Sequence, residues 1–117
     1  MKQVSFEGIG QVMATFPAAQ DAQGGEKVAE GVPVKLGATG VVDVCADGAA
    51  FIGVARAVRD GCAAVQVRGF VQVKATGSIS TGMVNLAADG TGGVKQSSSG
   101  KSYLVAETGG ETITILL

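Results

Sequence analysis

Histidine and tryptophan are both absent from the 117 residues. The lack of histidine removes the commonest general base, the Ser-His and Cys-His nucleophile pairs and the main zinc ligand. Cysteine is scarce: Cys45 and Cys62 are the whole complement, too few for a disulfide scaffold or for a thiolate zinc site. Each sits among small apolar residues, so two buried free thiols are expected, with a Cys45–Cys62 bond as the lesser alternative. No run of Lys or Arg occurs, and nine basic residues nearly balance ten acidic ones. A nucleic-acid groove or an anionic-membrane patch is therefore not expected. No apolar run reaches the length of a membrane span, and the opening MKQVSFEGIGQ has no signal-peptide core. The chain reads as soluble and made in the cytoplasm.

Aromatics are few, four Phe and one Tyr, whereas glycine is abundant at 19 residues. The glycines have no three-residue period, which excludes a collagen-like chain. Small aliphatics dominate what is left. Such a composition makes many turns and builds a core from small contacts.

Short apolar runs bounded by turn signals recur along the chain at the spacing of an all-β sandwich or barrel. The strand segments read are 34–36, 41–46, 51–58, 64–67, 70–75, 83–86, 94–96, 103–107 and 112–117. Val71, Val73 and Ala75 alternate with Gln72 and Lys74, and Ile113, Ile115 and Leu117 alternate with Thr112 and Thr114. Period two with β-branched residues is the half-buried strand pattern. The segment 49–59 is ambiguous. Its alanines suit a helix, but Gly53 and the valines oppose one, and Asp47-Gly48 and Asp60-Gly61 bracket it like hairpin turns. Strand is the favoured reading.

Residues 1–25 differ in texture and end in the polar stretch QDAQGG. They read as an N-terminal arm, followed by a single β domain over 26–117. The fold class is thus all-β: a compact β-barrel, β-tulip-like or sandwich domain with an arm.

The motifs that resemble chemistry fail on spacing. Gly100-Lys101-Ser102 resembles the end of a phosphate loop, and Gly90-Thr91-Gly92 opens like a dinucleotide fingerprint. Both need a glycine where Lys95 stands. Asp43 and Asp47 read as a strand residue and a turn residue, not as a calcium cluster. Glu107 and Glu111 flank a glycine turn and read as hairpin-edge charges. No nucleophile–base pair can be placed, so the expectation is a non-enzyme with no catalytic residues, no cofactor and no metal.

The arrangement of residues 31–117 resembles the bacteriophage capsid decoration (head cement) proteins. The resemblance rests on Gly31-Val-Pro-Val-Lys-Leu36, Phe51-Ile-Gly-Val54 and Gly61-Cys-Ala-Ala-Val-Gln-Val-Arg-Gly-Phe-Val-Gln-Val73. It continues through Gly82, Leu86, Asp89-Gly-Thr-Gly-Gly-Val94, the 100–105 stretch and the 112–117 strand. The opening segments Val4–Gly10 and Val12–Phe16 also look like the family's leading part. The resemblance implies a structural protein of the virion surface that stabilises the head by binding the major capsid protein lattice. By analogy it also implies a homotrimer. The arm would contribute capsid contacts through Val4, Phe6, Val12, Met13 and Phe16, by adding a strand to a sheet edge; packing on the chain's own barrel is the alternative role for these residues. Rival readings are a tail or neck structural protein, an adhesion module and a small-ligand-binding β-barrel. The scarcity of aromatics disfavours sugar stacking.

Overall fold

The computed structural model describes residues 9–117, and all regular structure in them is β. Ten strands form: β1 (Val12–Pro17), β2 (Pro33–Leu36), β3 (Val42–Val44), β4 (Gly53–Arg59), β5 (Cys62–Arg68), β6 (Phe70–Thr76), β7 (Gly82–Ala88), β8 (Val94–Gln96), β9 (Lys101–Gly109) and β10 (Thr112–Leu116). The ambiguous 49–59 segment is β4. Its bracketing signal at Asp60-Gly61 is a tight hairpin turn, with φ of 52° and 77° at the two residues. Positive φ at both central positions matches the right-handed twist of the strands it joins.

The strands divide into two bodies. The first half of the chain forms a five-stranded sheet in the order β1-β5-β4-β2-β3, and the second half a closed barrel in the order β10-β6-β8-β7-β9. Every barrel pairing is antiparallel except β6 with β8, where Ala75 lies beside Val94 and Thr76 beside Lys95. The alternation read from sequence is realised in the barrel. Val71, Val73, Ile113 and Ile115 point inward with Leu86, Val94 and Val105, and all are buried. The interior is filled by side chains.

The sheet has a separate core of Ala18, Val28, Val34, Val42, Ala55, Ala63 and Val65, with Phe16 packed against it. It curls so that the chain leaving β1 returns to β3. Ala18 bridges Val42, and the Ala19 amide donates to the Val42 carbonyl at 2.8 Å. The sheet is thus fastened to itself at Val42.

The two bodies share a joint. The loop after β3 crosses to the barrel, where the Gly48 amide donates to the Ala88 carbonyl and the Ala88 amide to that of Ala49. Phe51 from this loop stacks on Tyr103 of β9, with ring centroids 5.1 Å apart and planes 9° from parallel. A stacked aromatic pair adds about 1 kcal/mol beyond its area burial. Cys45, Phe51 and Val54 belong to the barrel core although they come from the first half of the chain. At Gly69, between β5 and β6, a Cβ would lie 2.6 Å from the Gly10 backbone, and φ is +95°. No side chain fits there, so glycine lets the N-terminal strand cross the connection.

The cysteines separate. Cys45 is buried as expected, but Cys62 is exposed and both are free. Cys62 opens β5 directly after the hairpin turn, where it faces Pro17 and Arg59 at the end of the ladder.

Candidate interaction surface

β1 is where the proposed arm residues and the fold meet. The sequence set residues 1–25 apart from the β domain, yet Val12–Pro17 is the outer strand of the five-stranded sheet. It pairs with β5 from Val12↔Arg68 to Pro17↔Cys62. The reason is its apolar inner face: Phe16 packs on the sheet's core, and the Ala18 side chain is buried. Packing on the chain's own body, the alternative role, holds for Phe16. Val12 and Met13 remain outside, 50% and 40% exposed. Val4 and Phe6 lie outside the described residues.

The outer edge of β1 follows from hydrogen-bond parity. The Ala18 amide donates toward β5, to the Gly61 carbonyl, and the Ala19 amide donates the opposite way, to Val42. In an antiparallel ladder this direction alternates residue by residue. Ala14 and Phe16 therefore turn their amide and carbonyl groups to β5, and Met13 and Thr15 turn theirs outward. Among the described residues, no strand pairs with β1 at those two positions. The strand VMATFP carries no charge, and charged side chains are a usual means of guarding an exposed edge.

Other polar constellations are accounted for within the fold. Gln66 is fully buried. Its Nε2 donates to the carbonyls of Arg68 at 3.1 Å and Phe70 at 2.9 Å, and its Oε1 accepts from Arg56 at 3.2 Å. Sequence reading missed it, because a single glutamine in the run CAAVQV looks like any outward strand residue. Asp89 organises the β7–β8 turn. It accepts from the Thr76 hydroxyl at 2.6 Å, the Thr91 amide at 2.7 Å, the Thr91 hydroxyl at 2.9 Å and the Gly93 amide at 3.0 Å. Partial burial works to raise its pKa, but these hydrogen bonds outweigh it and hold the carboxyl at about 2. Burial pushes the thiol of Cys45 up, and likewise the phenol of Tyr103.

The carboxylates singled out from sequence do not converge. Asp43 lies on β3 and pairs with Lys27 at 3.3 Å, while Asp47 lies in a turn and pairs with Lys95 at 2.6 Å. Among the described residues, no group of three or more His, Cys, Asp or Glu side chains is placed to hold a metal. Lys101, from the phosphate-loop look-alike, begins β9 with its ammonium 5.6 Å from the Tyr103 ring centroid. Strand β8, not a helix, follows Gly90–Gly93. An open cleft at the joint is lined by Glu30, Val32, Gln72, Lys74, Thr91 and Thr112. No helix of the described residues is long and apolar enough to cross a membrane.

Compared with known proteins, the chain matches no family model and no curated protein sequence.

Proposed function

We propose that this chain is a decoration protein of a bacteriophage head, a structural component that stabilises the shell by binding the lattice of the major capsid protein. It acts by surface contact and performs no catalysis. The observation that carries this reading is the uncharged edge of β1 at Met13 and Thr15, to which no strand among the described residues pairs, beside the exposed side chains of Val12 and Met13. The family resemblance of residues 31–117 supplies the partner.

An extended segment of the capsid protein adds to this edge. Main-chain hydrogen bonds give affinity, and the side chains of Val12 and Met13 cover the joint. Each contact is modest, but a shell offers on the order of hundreds of equivalent sites, and several must break before its subunits separate. The filled barrel interior favours this reading over a small-ligand barrel, since Val71, Leu86, Val94, Val105 and Ile115 occupy the space a ligand would take.

The experiment is co-sedimentation with expanded, mature capsids of the phage that encodes the chain. Wild type is expected to pellet with the shells. Thr15→Pro removes an amide from the outer edge only, and Met13→Lys places a charge on it. Each is expected to weaken binding about tenfold or more with an unchanged circular dichroism spectrum. Wild-type protein that ignores the shells would end the proposal. Variants that bind as well as wild type would remove β1 as the contact.

A further inference from the structure

Beside the stacked rings of Phe51 and Tyr103 the surface opens into a cleft of about 250 Å³, where β5 ends, β9 begins and β10 ends. Both bodies line it. Phe51 and Tyr103, each 6% exposed, reach it from the barrel core. Ile52 is exposed in it, and Val67 and Leu117 are half-buried. Two charged side chains complete the lining, Arg68 at the end of β5 and Lys101 at the start of β9. Both are cationic and exposed, and no Asp or Glu side chain lines the cleft.

Neither cation is engaged by an acid. An Arg68 guanidinium nitrogen donates to the Val67 carbonyl at 3.2 Å, and the Lys101 ammonium lies 5.6 Å from the centre of the Tyr103 ring. The ion pairs of the described residues lie elsewhere, at Lys27–Asp43 and Lys95–Asp47. Among the described residues, no carboxylate is within ion-pair distance of Arg68 or Lys101. One such cation on a surface is ordinary, because water solvates it. Here two, from opposite halves of the chain, share one cleft with apolar walls. A concave site lined by one sign of charge and walled by low-dielectric side chains focuses its field on an incoming ion of the other sign.

The chemistry of the occupant follows from the lining. The cations call for an anion, and Ile52, Val67 and Leu117 call for an apolar group next to it. A nucleic acid fits poorly: two cations make a short track for a phosphate backbone. Phe51 and Tyr103 are buried against one another and offer no free face to a base. A small inorganic anion would leave the apolar wall uncovered.

We propose that this cleft binds an acidic side chain of a partner protein, a Glu or Asp with an apolar residue beside it. The carboxylate accepts from the free donors of the Arg68 guanidinium and lies near the Lys101 ammonium, while the apolar neighbour covers Ile52, Val67 and Leu117. The site uses none of the outer-edge groups of β1, so it stands or falls apart from the capsid reading.

Tyr103 is the one tyrosine of a chain without tryptophan, so tyrosine emission reports on this cleft. The full chain is titrated in low salt with the blocked peptide acetyl-Leu-Glu-Leu-Glu-amide, against the same peptide with Gln in place of Glu. The amide resonances of Val67, Arg68, Lys101 and Leu117 are followed as a second readout. The acidic peptide is expected to bind with a dissociation constant on the order of 1 mM and to weaken as salt rises. The Gln peptide is expected to bind at least about tenfold more weakly. Arg68→Gln and Lys101→Gln alter exposed positions, and each is expected to weaken binding about fivefold with an unchanged urea midpoint. Lys74→Gln, which removes an exposed cation from the cleft lined by Glu30 and Gln72, is expected to leave binding as it is. No saturable change in either readout overturns the proposal. So does a Gln peptide that binds equally well, or a Lys74→Gln effect as large as that of Lys101→Gln. Inorganic phosphate or a thymidine oligonucleotide that displaces the peptide at equal concentration would make this a general anion or nucleic-acid site and overturn it. Tighter peptide binding by Glu7→Gln protein would mean that the cleft serves the chain's own N-terminal acid, and would overturn it too.

Discussion

The side-chain amide of Gln66 donates to the main-chain carbonyl of Phe70 at 2.9 Å, from within the five-stranded sheet to the first strand of the barrel. The same nitrogen reaches the Arg68 carbonyl, so both carbonyls flanking Gly69 converge on one buried amide. Gly53 fits against the Gln66 backbone, where a Cβ would meet the Gln66 carbonyl. The joint between the two bodies is therefore specified by a polar side chain that has no access to water.

Gln66→Leu keeps the volume and removes all three hydrogen bonds. It takes the Gln66 donor from the Arg68 and Phe70 carbonyls, and an unsatisfied buried polar group costs about 1–3 kcal/mol. A loss of about 2–4 kcal/mol is expected from urea unfolding. A loss below 0.5 kcal/mol, taken as the ordinary scatter of surface substitutions at about that size, would mean that the apolar contacts of Phe51 alone hold the joint.

Gly69→Ala tests the crossing beneath β1. The new Cβ would lie 2.6 Å from the Gly10 backbone at a φ of +95°. The expected cost is about 2 kcal/mol or more, from backbone strain and displacement of the N-terminal crossing together. Thermal unfolding measures it, and an unchanged midpoint would count against the close approach.

The thiols should react at different rates. Cys62 is exposed, whereas Cys45 is buried with its pKa raised by that burial. The thiolate is the reactive form. A disulfide exchange reagent is expected to titrate one thiol rapidly in the native protein and the second only on unfolding. Cys62→Ser should abolish the rapid phase.

Asp89 sets a pH dependence of known sign. Its folded pKa of about 2 lies below the ordinary carboxylate value. The stability it contributes is thus complete above about pH 4 and is lost as pH falls toward 2. The group is partly exposed to solvent, so the amount is screened to about 1 kcal/mol or less. Asp89→Asn is expected to flatten the fall in unfolding free energy between pH 4 and pH 2. Identical pH profiles for the two proteins would contradict the role given to its four hydrogen bonds.

Strand positions were legible wherever one face met a core and the other met water. Val71 and Val73 against Gln72 and Lys74 announce β6, and Ile113 and Ile115 against Thr112 and Thr114 announce β10. The division into two bodies was not legible. It depends on which strands pair, and β6 with β8 pair in parallel across a long connection that leaves no local mark. β1 was read as an arm because Met13 and Ala14 blur its alternation, although Phe16 seats it on the core. Cys62 was misjudged for a related reason: small apolar neighbours indicate burial only when the residue lies clear of a turn.

The pairing of β1 with β5 has a consequence for how the chain is made. Ala14 pairs with Val65, about fifty residues further on. On a ribosome β1 emerges about fifty residues before its partner strand β5, and non-local pairings of this kind form slowly. The nascent chain therefore carries VMATFP without its β5 partner while about fifty further residues are added, and it is vulnerable to proteolysis and to mispairing at that segment during this interval.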